Sequence, residues 1–231
     1  MTKQRMQQVF EHFNSEANVF DEGVKKSVPH YDRMLLVLAQ MLPFSASQKF
    51  KVIDIGTGTG NVALAVKDRF PKCDLTCLDL SPNMLKVAGE KLGKYKGVKF
   101  IEADVTKHVF KEKYDAIVSS LTLHHLETDA DKHKFRIKAF KALNKGGAFI
   151  NADIITAPGM SEQEVNLAMW KAHILKSSSQ AFVNDRYSKY KAEDRPATLL
   201  SELLSFNKTG FVNVDVFWKY YNFAVYGGFK K

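Results

Sequence analysis

Residues 52–64 read VIDIGTGTGNVAL. Three glycines alternate with threonines between two apolar runs, and this constrains the chain more than any other stretch. The run before the glycines reads as a strand, and the run from Asn61 reads as a helix. Between them the backbone must turn sharply, and a loop this bare lets a ligand lie directly against the peptide. Such a loop sits at the carboxyl end of a strand, where open α/β sheets bind ligands. Its spacing is G-x-G-x-G, whereas the dinucleotide fingerprint is G-x-G-x-x-G and would need glycine where Asn61 stands. The lysine of a phosphate-binding P-loop is also missing. Asp54, just ahead of the loop, is a poor neighbour for a pyrophosphate and a good one for a positively charged ligand.

Apolar runs follow at residues 74–80, 98–104, 114–121 and 147–155, most of them separated by helix-sized or polar segments. Strands alternating with crossovers of that length predict a parallel sheet with helices on both faces. Residues 1–45 carry helical spacing, as in Met6, Val9, Phe10 and Phe13. The alternation breaks at Ala157-Pro158-Gly159. Residues 157–197 read as a helical insertion capping the ligand edge, with Pro196 as a breaker. The segment 211–229 is β-type, after a helix end at Asn207-Lys208-Thr209-Gly210. No linker divides the chain, so residues 1–231 read as one domain.

The chain is 45% hydrophobic, enough for a core, with a formal net charge of +9. The densest basic stretch, residues 132–141, has Phe135, Ala139 and Leu143 at helical spacing, so its cations read as the wet face of a packed helix. Cys73 and Cys77 are too few for a disulfide framework. No His, Asp and Glu set has zinc spacing, so no metal is expected. The start of the chain lacks a signal-peptide core, and the apolar stretch 34–42 is too short to cross a bilayer. The expectation is a cytoplasmic protein without a membrane partner.

Two further strands end in acids: Asp79 in LTCLDLSPNML and Asp104 in IEADV. Each alone reads as a turn or cap. Three strand-end carboxylates beside a glycine loop read together as a nucleoside site, with Asp79 spaced to reach ribose hydroxyls. The ordered set VIDIGTGTGN, LDLSPNML, IEADVTK, YDAIVSSLTLHHL and LNKGGAFINADI resembles the class I S-adenosylmethionine-dependent methyltransferases along nearly the whole chain. The resemblance implies an α/β, Rossmann-like fold. Its seven-stranded sheet has an antiparallel last strand, helices on both faces and, here, a helical insertion before the last two strands.

The same resemblance implies S-adenosyl-L-methionine as cofactor and assigns roles. Gly56, Thr57 and Gly58 lie against its methionine part, with Asp54 near its ammonium. Asp79 takes the ribose hydroxyls and Leu80 the adenine. Asp104 accepts from the adenine amino group, Val105 lines the ring, and Ser120 faces the methionine end. VFDEGVKKSVPHYDRML and WKYYNFAVYGGFK look like the small methyltransferases related to bacterial carboxy-S-adenosylmethionine synthases, which adds Tyr31 to the cofactor residues. Those synthases carry an arginine for the extra carboxylate where a gapless match here puts Ser205. Arg186 and Arg195 lie nearby in sequence. Serine cannot grip a carboxylate as a guanidinium does.

The leading function is therefore methyl transfer to an oxygen, nitrogen or sulfur atom of a small molecule. A tRNA-modifying methyltransferase, a carboxy-S-adenosylmethionine synthase-like enzyme and a cofactor-binding regulatory protein without transfer activity are the alternatives. tRNA and a second copy of the chain are the macromolecular partners left open. His124, after the fourth strand, is the candidate base if the acceptor must lose a proton.

Overall fold

The computed structural model describes residues 3–231. Three helices lead the chain: α1 (Lys3–Glu16), α2 (Phe20–Ser27) and α3 (Tyr31–Gln40). Strand and helix then alternate through β1 (Lys51–Ile55), α4 (Asn61–Arg69), β2 (Asp74–Asp79), α5 (Pro82–Leu92), β3 (Val98–Glu102), β4 (Tyr114–Ser120), α6 (Asp129–Ala142) and β5 (Leu143–Ile154). The expected insertion is the helix pair α7 (Met160–Leu175) and α8 (Gln180–Glu193). It is followed by α9 (Leu199–Thr209), β6 (Val212–Tyr220) and β7 (Phe223–Phe229).

The seven strands form one sheet in the order β3-β2-β1-β4-β5-β7-β6. The first five pair in parallel, and β7 runs antiparallel between β5 and β6. Strand order reverses between β1 and β4, which places the switch point of the sheet beside the glycine loop. Alternate strand residues feed two cores, as the two-residue period of a strand requires. Val52, Leu75 and Val118 pack under α3 and α4. Ile53, Ile117 and Phe149 pack under α6 and α9. Burying each such side chain contributes ~1.5–3 kcal/mol.

Local chemistry fixes the helix ends. Ser81 caps α5 by accepting the Met84 amide, with Pro82 as its first residue, and Thr128 caps α6 by accepting from Asp131. Gly210, at φ 105°, ends α9 in the left-handed region.

The basic stretch differs from its sequence reading. Lys134 is exposed, yet Lys132 and Arg136 are buried. Arg136 pairs with Glu202 of α9 and donates to Ser205 Oγ at 2.7 Å, while Lys132 reaches the Arg195 carbonyl. Periodicity shows which face is apolar. It does not show that a distant acid will draw a cation inside. Leu143 belongs to β5 rather than to the helix. Both cysteines are free and buried, and no helix among the described residues is long and apolar enough to cross a membrane.

Candidate cofactor and acceptor site

The glycine loop is tied to the end of β2. The amides of Gly56 and Thr57 both donate to the Leu78 carbonyl, at 2.8 and 3.0 Å. The amide of Gly58 donates to Asp79 Oδ2 at 2.8 Å, and the Ser81 amide donates to Asp79 Oδ1 at 2.8 Å. Gly56 and Gly58 have φ of 67° and 53°, where glycine alone is unstrained. A Cβ on Gly56 would lie 2.2 Å from Thr122 Oγ1, so the loop also needs glycine for its close approach to the segment after β4.

This loop and the segments after β2, β3 and β4 surround one cavity. Gly56, Thr57, Gly58, Asp79, Leu80, Asp104, Val105, Ser120 and Tyr31 all line it, so nine of the ten expected cofactor residues converge. Asp54 does not line it. It is fully buried, and its Oδ2 accepts from Thr57 Oγ1 at 2.5 Å. Asp54, expected beside a ligand ammonium, instead lies behind the loop and supports it. Burial, with the neighbouring Asp79 charge and against the Thr57 bond, pushes its carboxyl up to about 7. Burial also raises Asp79, against the amides of Ser81, Gly58 and Leu80.

Tyr31 is both the start of α3 and part of the wall. Asn61 Nδ2 donates to its hydroxyl at 3.3 Å and to Asp21 Oδ1 at 2.9 Å. Asp21 also accepts from Thr59 Oγ1 and from Lys91. The asparagine that breaks the dinucleotide spacing thus joins α2 and α3 to the loop. Asp104 has a local duty besides lining the cavity. Its Oδ1 accepts from the amide and hydroxyl of Thr106, and its Oδ2 pairs with Lys107 at 3.0 Å. Ser120 Oγ is buried at the cavity with no hydrogen-bond partner among the described residues.

A second cavity adjoins the first and shares Phe13, Phe20, Leu121 and His125 with it. Leu121 takes a φ of 50°, unusual for a branched side chain, where the two meet. The cap contributes Trp170 and Tyr190, and His124 lines this cavity rather than the first. Arg186 and Lys189 also line it, and both pair with Glu16, at 3.3 and 2.7 Å. Burial would raise the Glu16 carboxyl, but Lys189, Arg186 and His12 outweigh it and hold it at about 2.

His124, the base that the sequence suggested, is engaged by two carboxylates, Asp153 and Asp194. Its Nδ1 lies 2.5 Å from Asp153 Oδ1. Burial alone would lower its pKa, yet the charges of Asp153 and Asp194 outweigh burial and raise it to about 10. An imidazole that holds its proton near neutral pH does not accept another. Burial and the His124 charge push His125 down to about 4, so it stands neutral between the cavities.

A family pattern described as a methyltransferase domain matches residues 52–147. A carboxy-S-adenosyl-L-methionine synthase of Ruthia magnifica is 30% identical over 70% of this chain and 68% of its own length. Another, from Campylobacter lari, is 25% identical over 99% of this chain and 97% of its own. This chain belongs to the S-adenosylmethionine-dependent methyltransferases. Among solved structures, an O-methyltransferase from Nostoc punctiforme shares the fold with a TM-score of 0.66 at 17% identity, over 94% of this chain and 60% of that one. A Haemonchus contortus phosphoethanolamine N-methyltransferase, solved with S-adenosyl-L-methionine, gives 0.60 at 22% identity, over 80% of this chain and 38% of that longer one.

The site of this methyltransferase fits its cofactor. A loop without side chains, an acid at the tip of β2 and an unpartnered Ser120 hydroxyl suit the polar parts. Leu80, Met84 and Val105 suit an adenine ring. Sequence reasoning missed one wall. Met6, Val9, Phe10 and Phe13 of α1 close the first cavity. Their helical spacing was visible, but spacing shows that a face is buried and not what lies under it. The helix is held as a strap: Asn14 Oδ1 accepts from Ser81 Oγ at 2.9 Å, and Arg5 Nη2 donates to the His125 carbonyl at 2.7 Å.

Proposed function

We propose that the enzyme transfers the methyl group of S-adenosyl-L-methionine to a nucleophilic atom of a small molecule held in the second cavity, in the cytoplasm. The observation carrying this reading is that Arg186 and Lys189, the cations of the second cavity, are both paired with Glu16, and that no lysine or arginine among the described residues lines the first cavity. A carboxylated cofactor needs a guanidinium or ammonium for its extra charge. A sulfonium needs acids and apolar walls, which this cavity has. Ser205, where the resemblance to the synthases leads one to look for an arginine, sits on α9 beside Arg136 and lines neither cavity.

The contribution to rate is placement. The acceptor atom must stand about 3 Å from the methyl carbon and in line with the carbon–sulfur bond. The wall shared by the two cavities is where that line runs. α1 and the cap exclude water from it. Asp79 holds the ribose, and the loop holds the methionine part.

Mass spectrometry of the ligand retained through purification, with methyl-labelled cofactor offered to small oxygen, nitrogen and sulfur nucleophiles and to tRNA, tests this. S-adenosylmethionine or its demethylated product, with label on a small acceptor, is expected. A retained carboxylated cofactor, or label on tRNA alone, would overturn it.

A further inference from the structure

We propose that His124 Nε2, His125 Nδ1 and Asp194 Oδ1 bind one divalent ion of the zinc type at the wall of the second cavity. Their places in the sequence gave no zinc spacing, because the aspartate is contributed by the end of α8 and the histidines by the turn Leu123–His125. The fold brings them together. Asp194 Oδ1 lies 3.4 Å from His124 Nε2 and 3.4 Å from His125 Nδ1, and the three atoms lie within 4.8 Å of one another. Donors around a tetrahedral zinc ion with bonds of 2.0–2.2 Å stand ~3.4 Å apart. The same separation exceeds the usual N–H···O range of roughly 2.7–3.2 Å.

Three further observations point to an ion. Both ring nitrogens of His125 are buried with no hydrogen-bond partner among the described residues. A buried polar atom without a partner is costly, and a ligand bond removes that cost. Next, the far nitrogen of His124 already has its carboxylate: Asp153 Oδ1 stands 2.5 Å from Nδ1, and Asp153 is itself held by Asn151 and the Ile154 amide. Carboxylates in that position fix the tautomer and orientation of metal-bound histidines. Finally, the turn is pinned on both sides. The Arg195 amide donates to the His124 carbonyl at 2.8 Å, and Arg5 holds the His125 carbonyl.

Three protein donors leave a fourth position, as in catalytic rather than structural zinc sites. All three residues line the second cavity, so that position belongs to water or to a heteroatom of the acceptor. The ion takes the place of the proton on His124 Nε2, which faces Asp194, while the Nδ1 proton stays with Asp153. The inference goes beyond methyl transfer, and metal binding can be read without cofactor or acceptor.

The test is titration of the chelator-treated full chain with Zn²⁺, and with Co²⁺ as a spectroscopic probe. One equivalent and a four-coordinate Co²⁺ spectrum are expected. Asp194→Asn should weaken binding at least tenfold. Asp153→Asn, at a positioning residue, should weaken it by about 10–100-fold and alter the Co²⁺ spectrum. If Asp194→Asn does not fold by circular dichroism, His125→Gln serves in its place with the same expectation. Absence of saturable binding would overturn the proposal, leaving the His124 imidazolium between two carboxylates. So would one-equivalent binding that these substitutions leave unchanged.

Discussion

The amide of Gly58 and the carboxylate of Asp79, 21 residues apart, are joined at 2.8 Å. The loop after β1 and the acid at the end of β2 are therefore one device. The acid also accepts from Ser81 at the start of the next helix segment, so its position is fixed before any ribose arrives.

Replacing Asp79 by alanine should remove the ribose acceptors and release the Gly58 amide together. Hydrogen bonds to charged groups are worth roughly 1.5–3 kcal/mol each. Affinity for S-adenosylhomocysteine should fall by tenfold or more in calorimetry, with Asp79→Asn between the two. Unchanged affinity would remove Asp79 from the site.

Gly56 and Gly58 should respond differently to alanine. Both have positive φ, which costs a side chain ~1–2 kcal/mol, but a Cβ at 56 also collides with Thr122, whereas one at 58 meets nothing within 4 Å. Gly56→Ala should lower thermal stability and cofactor affinity together. Gly58→Ala should be the better folded of the two, by melting temperature. Equal melting temperatures would place the Thr122 contact elsewhere.

Asp54 makes the fold sensitive to pH. Its folded pKa is raised from the ordinary value 3.8 to about 7. Below about pH 4 both states hold the proton and nothing is lost. As pH rises toward 7 the unfolded chain ionises while the folded chain resists, so stability falls and then levels off. One pKa unit corresponds to about 1.4 kcal/mol, so the full effect is on the order of a few kcal/mol. Asp54→Asn keeps an acceptor for Thr57 and removes the titration. Its urea stability relative to the parent should rise between pH 5 and pH 8. A difference that does not change with pH would show that Asp54 ionises freely.

Much of this site was legible because its parts are contiguous. Each of β1, β2 and β3 is an apolar run with its acid at or near the carboxyl end, so the sheet edge followed from the text of the sequence, and the nine wall residues from the family resemblance that its motifs carry. What was not legible depends on meetings between distant residues. A histidine after β4 reads as a base until Asp153 and Asp194 are found around it. Arg136 reads as solvated until Glu202 is found beside it. Asp54 reads as a ligand contact until Thr57 folds back over it. In each case the nearest charge or hydroxyl, not the residue's own type, sets the role.

Trp170 tests whether the cap and the cofactor site are separable. Its Nε1 donates to the Ser27 carbonyl at 2.6 Å, joining α7 to α2, and its ring packs against Tyr190. It lines the second cavity and not the first. Phenylalanine keeps most of the apolar contact and leaves the carbonyl unpaired, at a cost of about 1–3 kcal/mol. Trp170→Phe should therefore unfold at lower urea concentration while binding S-adenosylhomocysteine as the parent does. A matching loss of cofactor affinity would mean that α7 and α2 set the shape of the first cavity as well, and that the cap is part of the cofactor site.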